Sequence, residues 1–191
     1  KYKDMVQKSS KERQHEFDVA YMNMAIAMSN LSYAIKKQVG CIVVSKDDQV
    51  ISQGFNGMPI GMPNICEEIY NINTGEHTTL ETAESYHDKK KQEEILEQYR
   101  NINKGMMPGF RLITKDITLH AESNAITKLA KYNSSAKGGT VYVTLSPCIH
   151  CAKLLVQSEV SRVVYLNNYK SDAGIKLLEE CGIIVDKLNM D

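Results

Sequence analysis

The sequence predicts an α/β protein of three layers, α/β/α, in which a mixed sheet of about five strands lies between helices. Three observations carry this. From residue 120 onward, amphipathic helical stretches alternate with short β-branched runs, the pattern of strands joined by crossover helices. Two apolar runs, 39–44 and 50–55, flank the turn residues Ser45, Lys46, Asp47 and Asp48, which is a hairpin signal. One amphipathic segment precedes that hairpin and supplies a helix for a sheet face. At 191 residues the chain can bury a substantial core and fits a single domain, 1–191, with no internal repeat.

The first helix is expected from about Glu16, with Phe17, Ala20, Tyr21, Met24, Ala25, Met28 and Leu31 as its packed face, ending near Ser32 to Tyr33. After the hairpin, residues 54–64 hold three glycines and two prolines, which forbid a regular element and suit a ligand rim or a plain connector. Residues 64–118 are the least interpretable. Within them 84–99 reads as a helix, 101–109 as a loop, and Lys89, Lys90 and Lys91 as a solvated face. A helix over 120–132 follows, packed through Ala121, Ala125, Ile126, Leu129 and Ala130. A break at 133–139 leads to a strand at 140–145, and Pro147 suits the first position of a helix over 148–158. A strand at 162–168, a helix over 171–181 stopped by Gly182, and a last strand at 183–188 complete the chain.

Composition narrows the function. Twenty-three basic and twenty-three acidic side chains cancel, so no global field draws the chain to nucleic acid or to an anionic membrane. Five cysteines, an odd number, fit a reducing compartment better than a disulfide framework. No long apolar run exists and residues 1–14 are polar rather than signal-like, so a soluble, cytoplasmic protein is expected.

Two motifs carry chemistry. The first is His120-Ala121-Glu122 and the second Pro147-Cys148-Ile149-His150-Cys151, each opening a predicted helix. Cysteines three apart at a helix start present both sulfurs to one side, where the helix dipole favours thiolate. With His120 they make a three-donor zinc site whose fourth position stays open, the mark of a catalytic rather than a structural ion. Such an ion supplies a hydroxide nucleophile near pH 7, and Glu122 is suited to move protons for it. A spacing of two does not put both residues on one helical face, so this role requires His120 at the mouth of its helix. A thioredoxin-like redox pair would use Cys148 and Cys151 alone and leave His120 and Glu122 idle. Cys66, His77 and His87 leave open a second, structural zinc, while Cys41 and Cys181 read as core or helix-end thiols.

H-x-E with P-C-x-x-C is the signature of zinc-dependent nucleobase deaminases. The chain resembles the cytidine and deoxycytidylate deaminase superfamily through Gln38-Val39-Gly40, the segment 54–61, His120 to Ile126, and Tyr142 to Cys148 with Cys151-Ala152-Lys153. The resemblance covers roughly 15–66 and 117–186; the unmatched part, about 64–118, falls where members differ and reads as a variable insertion. It implies a cytidine deaminase-like fold and zinc-dependent hydrolysis of dCMP to dUMP. Zinc would sit on His120, Cys148 and Cys151, with Glu122 as proton shuttle. It further implies that Asn56 holds sugar or base and that Tyr169 contacts the substrate phosphate. Members are typically hexamers, activated by dCTP with Mg2+ and inhibited by dTTP, which implies a regulatory nucleotide near Gly54, Phe55, Gly57 and Asn124. Phe55 stands where the family often has Tyr, keeping the ring and losing a hydroxyl donor. Lys36, Lys37 and Lys170 are candidates for a phosphate pocket. Other readings are a cytidine or tRNA adenosine deaminase of the same superfamily, and a noncatalytic nucleotide-binding regulator on the same fold.

Overall fold

A computed structural model describes residues 9–82, 85 and 87–190. The chain runs α1 (Ser10–Ser29), β1 (Gly40–Val44), β2 (Val50–Phe55), β3 (Glu67–Asn71), β4 (His77–Thr78), α2 (Lys89–Asn103), β5 (Phe110–Thr114), α3 (Ala121–Lys131), β6 (Thr140–Leu145), α4 (Ile149–Gln157), β7 (Arg162–Asn167), α5 (Ala173–Glu180) and β8 (Ile184–Lys187). Five strands form the expected mixed sheet in the order β2-β1-β6-β7-β8. β1 is antiparallel to β2 and β6, whereas β6, β7 and β8 are parallel.

Alternation along the central strands divides the core between two faces. Ile42, Val44, Tyr142 and Val164 face α1, while Cys41, Val43, Val141, Val143 and Val163 face α3, α4 and α5. Every residue of β1 is buried, as a strand covered on both faces requires.

α1 departs from expectation. It starts earlier because Ser9 and Glu12 form a capping box, Ser9 N–H donating to Glu12 Oε2 at 2.7 Å. Its buried side is Asp18, Met22, Ala25 and Ser29, leaving Phe17 37% and Leu31 54% exposed. The physical reason is an ion cluster: Arg162 reaches Asp18 with two nitrogens at 2.7 and 2.8 Å, and Tyr142 Oη donates to the same carboxylate at 2.8 Å. A paired, hydrogen-bonded carboxylate can face the sheet, and it turns Phe17, Ala20 and Met24 of the expected stripe outward while Ala25 stays buried and Tyr21 and Met28 pack partly against the core.

Residues 64–118 hold more structure than the sequence suggested. β3, β4 and β5 make a second sheet in the order β4-β3-β5, and α2 covers it through Ile95, Leu96, Tyr99 and Ile102 on Ile65, Ile69 and Leu112. α2 begins where Asp88 accepts the amides of Lys90 and Lys91, and it extends through Asn101 to Asn103, read as loop. The expected start of that helix at Glu84 lies outside the described residues, as do residues 1–8 of the polar N-terminal stretch. Lys115 Nζ, bonded to the Ile65 carbonyl and Glu81, and Tyr99 Oη, accepting from Leu80 N–H at 3.1 Å, tie this unit together.

Candidate active site

The parallel strands end on one edge of the large sheet, and loops there open a crevice of the kind that hosts ligands in open α/β folds. His120 is the N-cap of α3, outside the helical turn, and Glu122 lies in its first turn. Cys148 is the N-cap of α4 and Cys151 is in that first turn. Pro147 therefore precedes the cap instead of opening the helix; its ring disfavours helical backbone at Ser146, the residue before it. His120 Nδ1 lies 3.4 Å from Cys148 Sγ and 3.3 Å from Cys151 Sγ, and the three donors fall within 4.8 Å of one another. A tetrahedral zinc with ordinary Zn–N and Zn–S bonds needs donor separations of about 3.5 Å, so the set fits that ion and leaves a fourth position open.

Electrostatics agree with the donor chemistry. The Cys151 thiol donates toward Cys148 and holds its thiol at about 3, against burial and with help from His120, so Cys148 is a thiolate at neutral pH. Its partner moves the other way: the same hydrogen bond and burial push the Cys151 thiol up. The Cys148 sulfur likewise raises His120 against burial. Glu122 is only 4% exposed, and its enclosure pushes the carboxyl up from its ordinary value.

α5 supports this corner without entering it. Gly174 lies so close to the turn before α4 that a Cβ there would stand 2.1 Å from the Pro147 carbonyl oxygen and 2.9 Å from the carbonyl carbon of Cys148.

A cavity of about 480 Å³ opens on the site, a size suited to a small-molecule ligand. His120, Glu122 and Cys148 line it together with Leu145 at the end of β6, Ser146 just after it, and Asn168, Tyr169 and Lys170 beyond β7. Asn56, Tyr169, Lys36, Lys37 and Lys170, all singled out from the sequence, are on its wall. Asn56 is buried and bonds Val39 N–H and the Lys37 carbonyl, each at 2.8 Å. Gly54, Phe55, Gly57 and Asn124 lie outside the lining. They join β2 to α3: Asn124 Nδ2 donates to the Phe55 carbonyl at 3.0 Å, and Gly57 exchanges backbone bonds with Leu119. A Cβ on Gly54 would stand 2.2 Å from the Ala121 carbonyl oxygen.

The small sheet and the turn after β5 supply wall residues that sequence reasoning missed: Glu67, Ile113 and Thr114 from the sheet, Asp116 and Thr118 from the turn. Phe110-Arg111-Leu112-Ile113-Thr114, aromatic and β-branched after Gly109, is the strand signal that would have found two of them, Ile113 and Thr114. The second cysteine and histidine group does not assemble. Cys66 is fully buried, while His77 is exposed and its Nδ1 lies 2.5 Å from Glu68. Among the described residues, His120, Cys148 and Cys151 are the one such group gathered around a common point. Likewise among the described residues, no helix is long and apolar enough to cross a membrane.

A three-layer α/β/α frame with His120, Glu122, Cys148 and Cys151 so placed defines the class of zinc-dependent nucleobase deaminases. The model of the cytidine and deoxycytidylate deaminase zinc-binding region matches residues 15–167. The deoxycytidylate deaminase of Enterobacteria phage T4 is 29% identical over 89% of this chain and 93% of its own length, and the human one 25% over 83% and 68%. The crystal structure of dCMP deaminase from the cyanophage S-TIM5 in complex with dCMP and dUMP superposes with a TM-score of 0.62 at 26% identity, covering 95% of this chain and 99% of that one. The chain belongs to the cytidine and deoxycytidylate deaminase family.

Proposed function

We propose that this chain hydrolyses the exocyclic amino group of dCMP, giving dUMP and ammonia. The observation that carries the reading is the convergence of His120, Cys148 and Cys151 with the enclosed carboxyl of Glu122 on a cavity also lined by three lysines. The relatives of similar length named deoxycytidylate deaminase support the choice of base and phosphate.

His120 Nδ1 and the sulfurs of Cys148 and Cys151 would hold Zn2+. Bound there, the ion supplies Lewis acidity and a water that ionises near neutral pH. Glu122 takes one proton from the attacking water and delivers it to the ring nitrogen beside C4, then carries the second, from the new hydroxyl group, to the departing amino group. The C4–O bond forms first, giving a tetrahedral carbon, and the C4–N bond breaks as the carbonyl forms, so water and dCMP are consumed and dUMP and ammonia leave. Asn56 contacts sugar or base, and Tyr169 with Lys36, Lys37 and Lys170 receives the phosphate. A single phosphate needs only such a local cluster, which suits a chain of zero formal charge.

The same reading includes one domain carrying residues 64–118 as an insertion, a homohexamer, and regulation by dCTP with Mg2+ and by dTTP near Gly54, Phe55, Gly57 and Asn124. Ammonia release from dCMP at neutral pH, with and without dCTP and Mg2+ and against cytidine and dCTP, tests it. Turnover of dCMP stimulated by dCTP is the expected result. Turnover of cytidine alone discards the phosphate reading, and nucleotide affinity with zinc but no ammonia identifies a regulator.

A further inference from the structure

The backbone between Ser32 and Val39 crosses the cavity wall without regular structure, so its amides and carbonyls need partners from elsewhere. Two buried side chains supply them. Asn56 serves Val39 N–H and the Lys37 carbonyl. Glu67, at the start of β3 in the small sheet, accepts Ile35 N–H at 3.0 Å and Lys36 N–H at 3.1 Å on one oxygen, Oε1. Four backbone groups of a five-residue stretch are thus held, and that stretch carries Lys36 and Lys37 to the cavity.

Glu67 is a costly way to hold a strand. It is 0% exposed, and its second oxygen, Oε2, has no hydrogen-bond partner among the described residues. An unpaired buried oxygen destabilises a fold, and an apolar side chain of similar shape would pack there without that penalty. What an apolar side chain cannot do is accept two amides from the neighbouring loop.

We propose that Glu67 is a positioning residue, which acts from the small sheet to fix the backbone at Ile35 and Lys36 so that Lys36 and Lys37 meet the phosphate of a bound nucleoside monophosphate. This rests on the reading of the cavity as a dCMP site. It makes the segment 64–118 part of substrate selection through a residue that need not touch the substrate. Burial pushes the Glu67 carboxyl up toward its neutral form, for which glutamine is a close replacement.

The test compares dUMP with deoxyuridine by calorimetry on the zinc-loaded full chain, so that the ratio of the two Kd values isolates the phosphate. Glu67→Ala is expected to cut that ratio by about tenfold while deoxyuridine affinity stays within about twofold, and Glu67→Gln to restore most of it. In turnover the loss falls on KM for dCMP, not on kcat or on KM for deoxycytidine. Replacing Lys36 and Lys37 together by Ala removes the ratio directly, and adding Glu67→Ala to that variant changes it by less than about twofold if Glu67 works through them. Should Glu67→Ala fail to fold, Glu67→Asp withdraws the carboxylate by one methylene and is expected to give the same selective loss. An unchanged ratio, an equal weakening of both ligands, or full additivity with the lysine variant would overturn the proposal. A wild-type protein that binds dUMP no better than deoxyuridine sinks the monophosphate reading and this inference with it; a normal wild-type ratio insensitive to Glu67 sinks the inference alone.

Discussion

The large and small sheets are held together in different ways. β1 has no exposed residue, with α1 on one face and α3 on the other, and the strands beside it carry a dense aliphatic core. β3 and β5 bury one apolar face under α2, and the remainder of the small unit is fastened by polar contacts, Lys115 with Glu81 and Tyr99 with Leu80. His120, Cys148, Cys151 and Glu122 all sit where α3 and α4 leave the large sheet, while the small sheet contributes only wall. On the reading proposed above, groups that must meet within tenths of an ångström are carried by the densely packed unit, and groups that select among ligands are carried in part by the lighter one.

Substitutions can break or sharpen that division. The largest effect is expected for Cys148→Ser: zinc measured by mass spectrometry falls from one per chain toward none, and ammonia release falls to background. Full zinc after that change would remove Cys148 from the donor set. Next is Glu122→Ala, which should keep its zinc while kcat drops by about a hundred- to ten-thousandfold, because a proton carrier is lost and no ligand is. An unaltered kcat would end its assigned role. Leu155→Ala, in the large core, is expected to cost about 2–5 kcal/mol of global stability in denaturant melts. The matching change in the small unit, Leu96→Ala, should speed amide exchange in α2, β3 and β5 and leave β1 and β6 protected. If both variants open the whole chain alike, the two units are one cooperative body and the contrast drawn above fails.

The smallest effect concerns acid. Burial pushes Asp18 up, but hydrogen bonds from Arg162, Tyr142 and Gln14 outweigh it and hold the carboxyl below its ordinary value of 3.8. A folded value below the unfolded one stabilises the protein at every pH above the unfolded value, and that contribution is lost as pH falls through the lowered folded value. Asp18→Asn should therefore lower stability near neutrality and flatten the acid limb of the stability curve below about pH 4. An acid limb as steep as wild type would show that other carboxylates set it.

What was legible in the chain follows the same division. The five strands of the large sheet and the five helices announced themselves through short aliphatic runs and helical spacing, and Thr140–Leu145 was read to the residue. The gathering of His120, Cys148 and Cys151 around one point, with Glu122 in the first turn of α3, was legible because the two motifs put all four at helix mouths. The face of α1 was misjudged because Arg162, more than a hundred residues away, makes Asp18 a core residue, and no local pattern contains that partner. Strands β3 to β5 were missed because half-buried strands such as Glu67–Asn71 mix charged and apolar residues too freely to show a period. Glu67 was invisible for a related reason: its value lies in two amides of a distant loop.

Gly174 sets a rule for anyone who would stabilise this protein. Replacing a helical glycine by alanine is among the commonest routes to a higher melting temperature, worth up to about 1 kcal/mol. At Gly174 the added methyl group would drive α5 off the turn that presents Cys148, so a gain in helix propensity would be exchanged for a displaced sulfur. The helix that contributes no atom to the cavity is therefore the one that thermostability engineering should leave alone at its first turn.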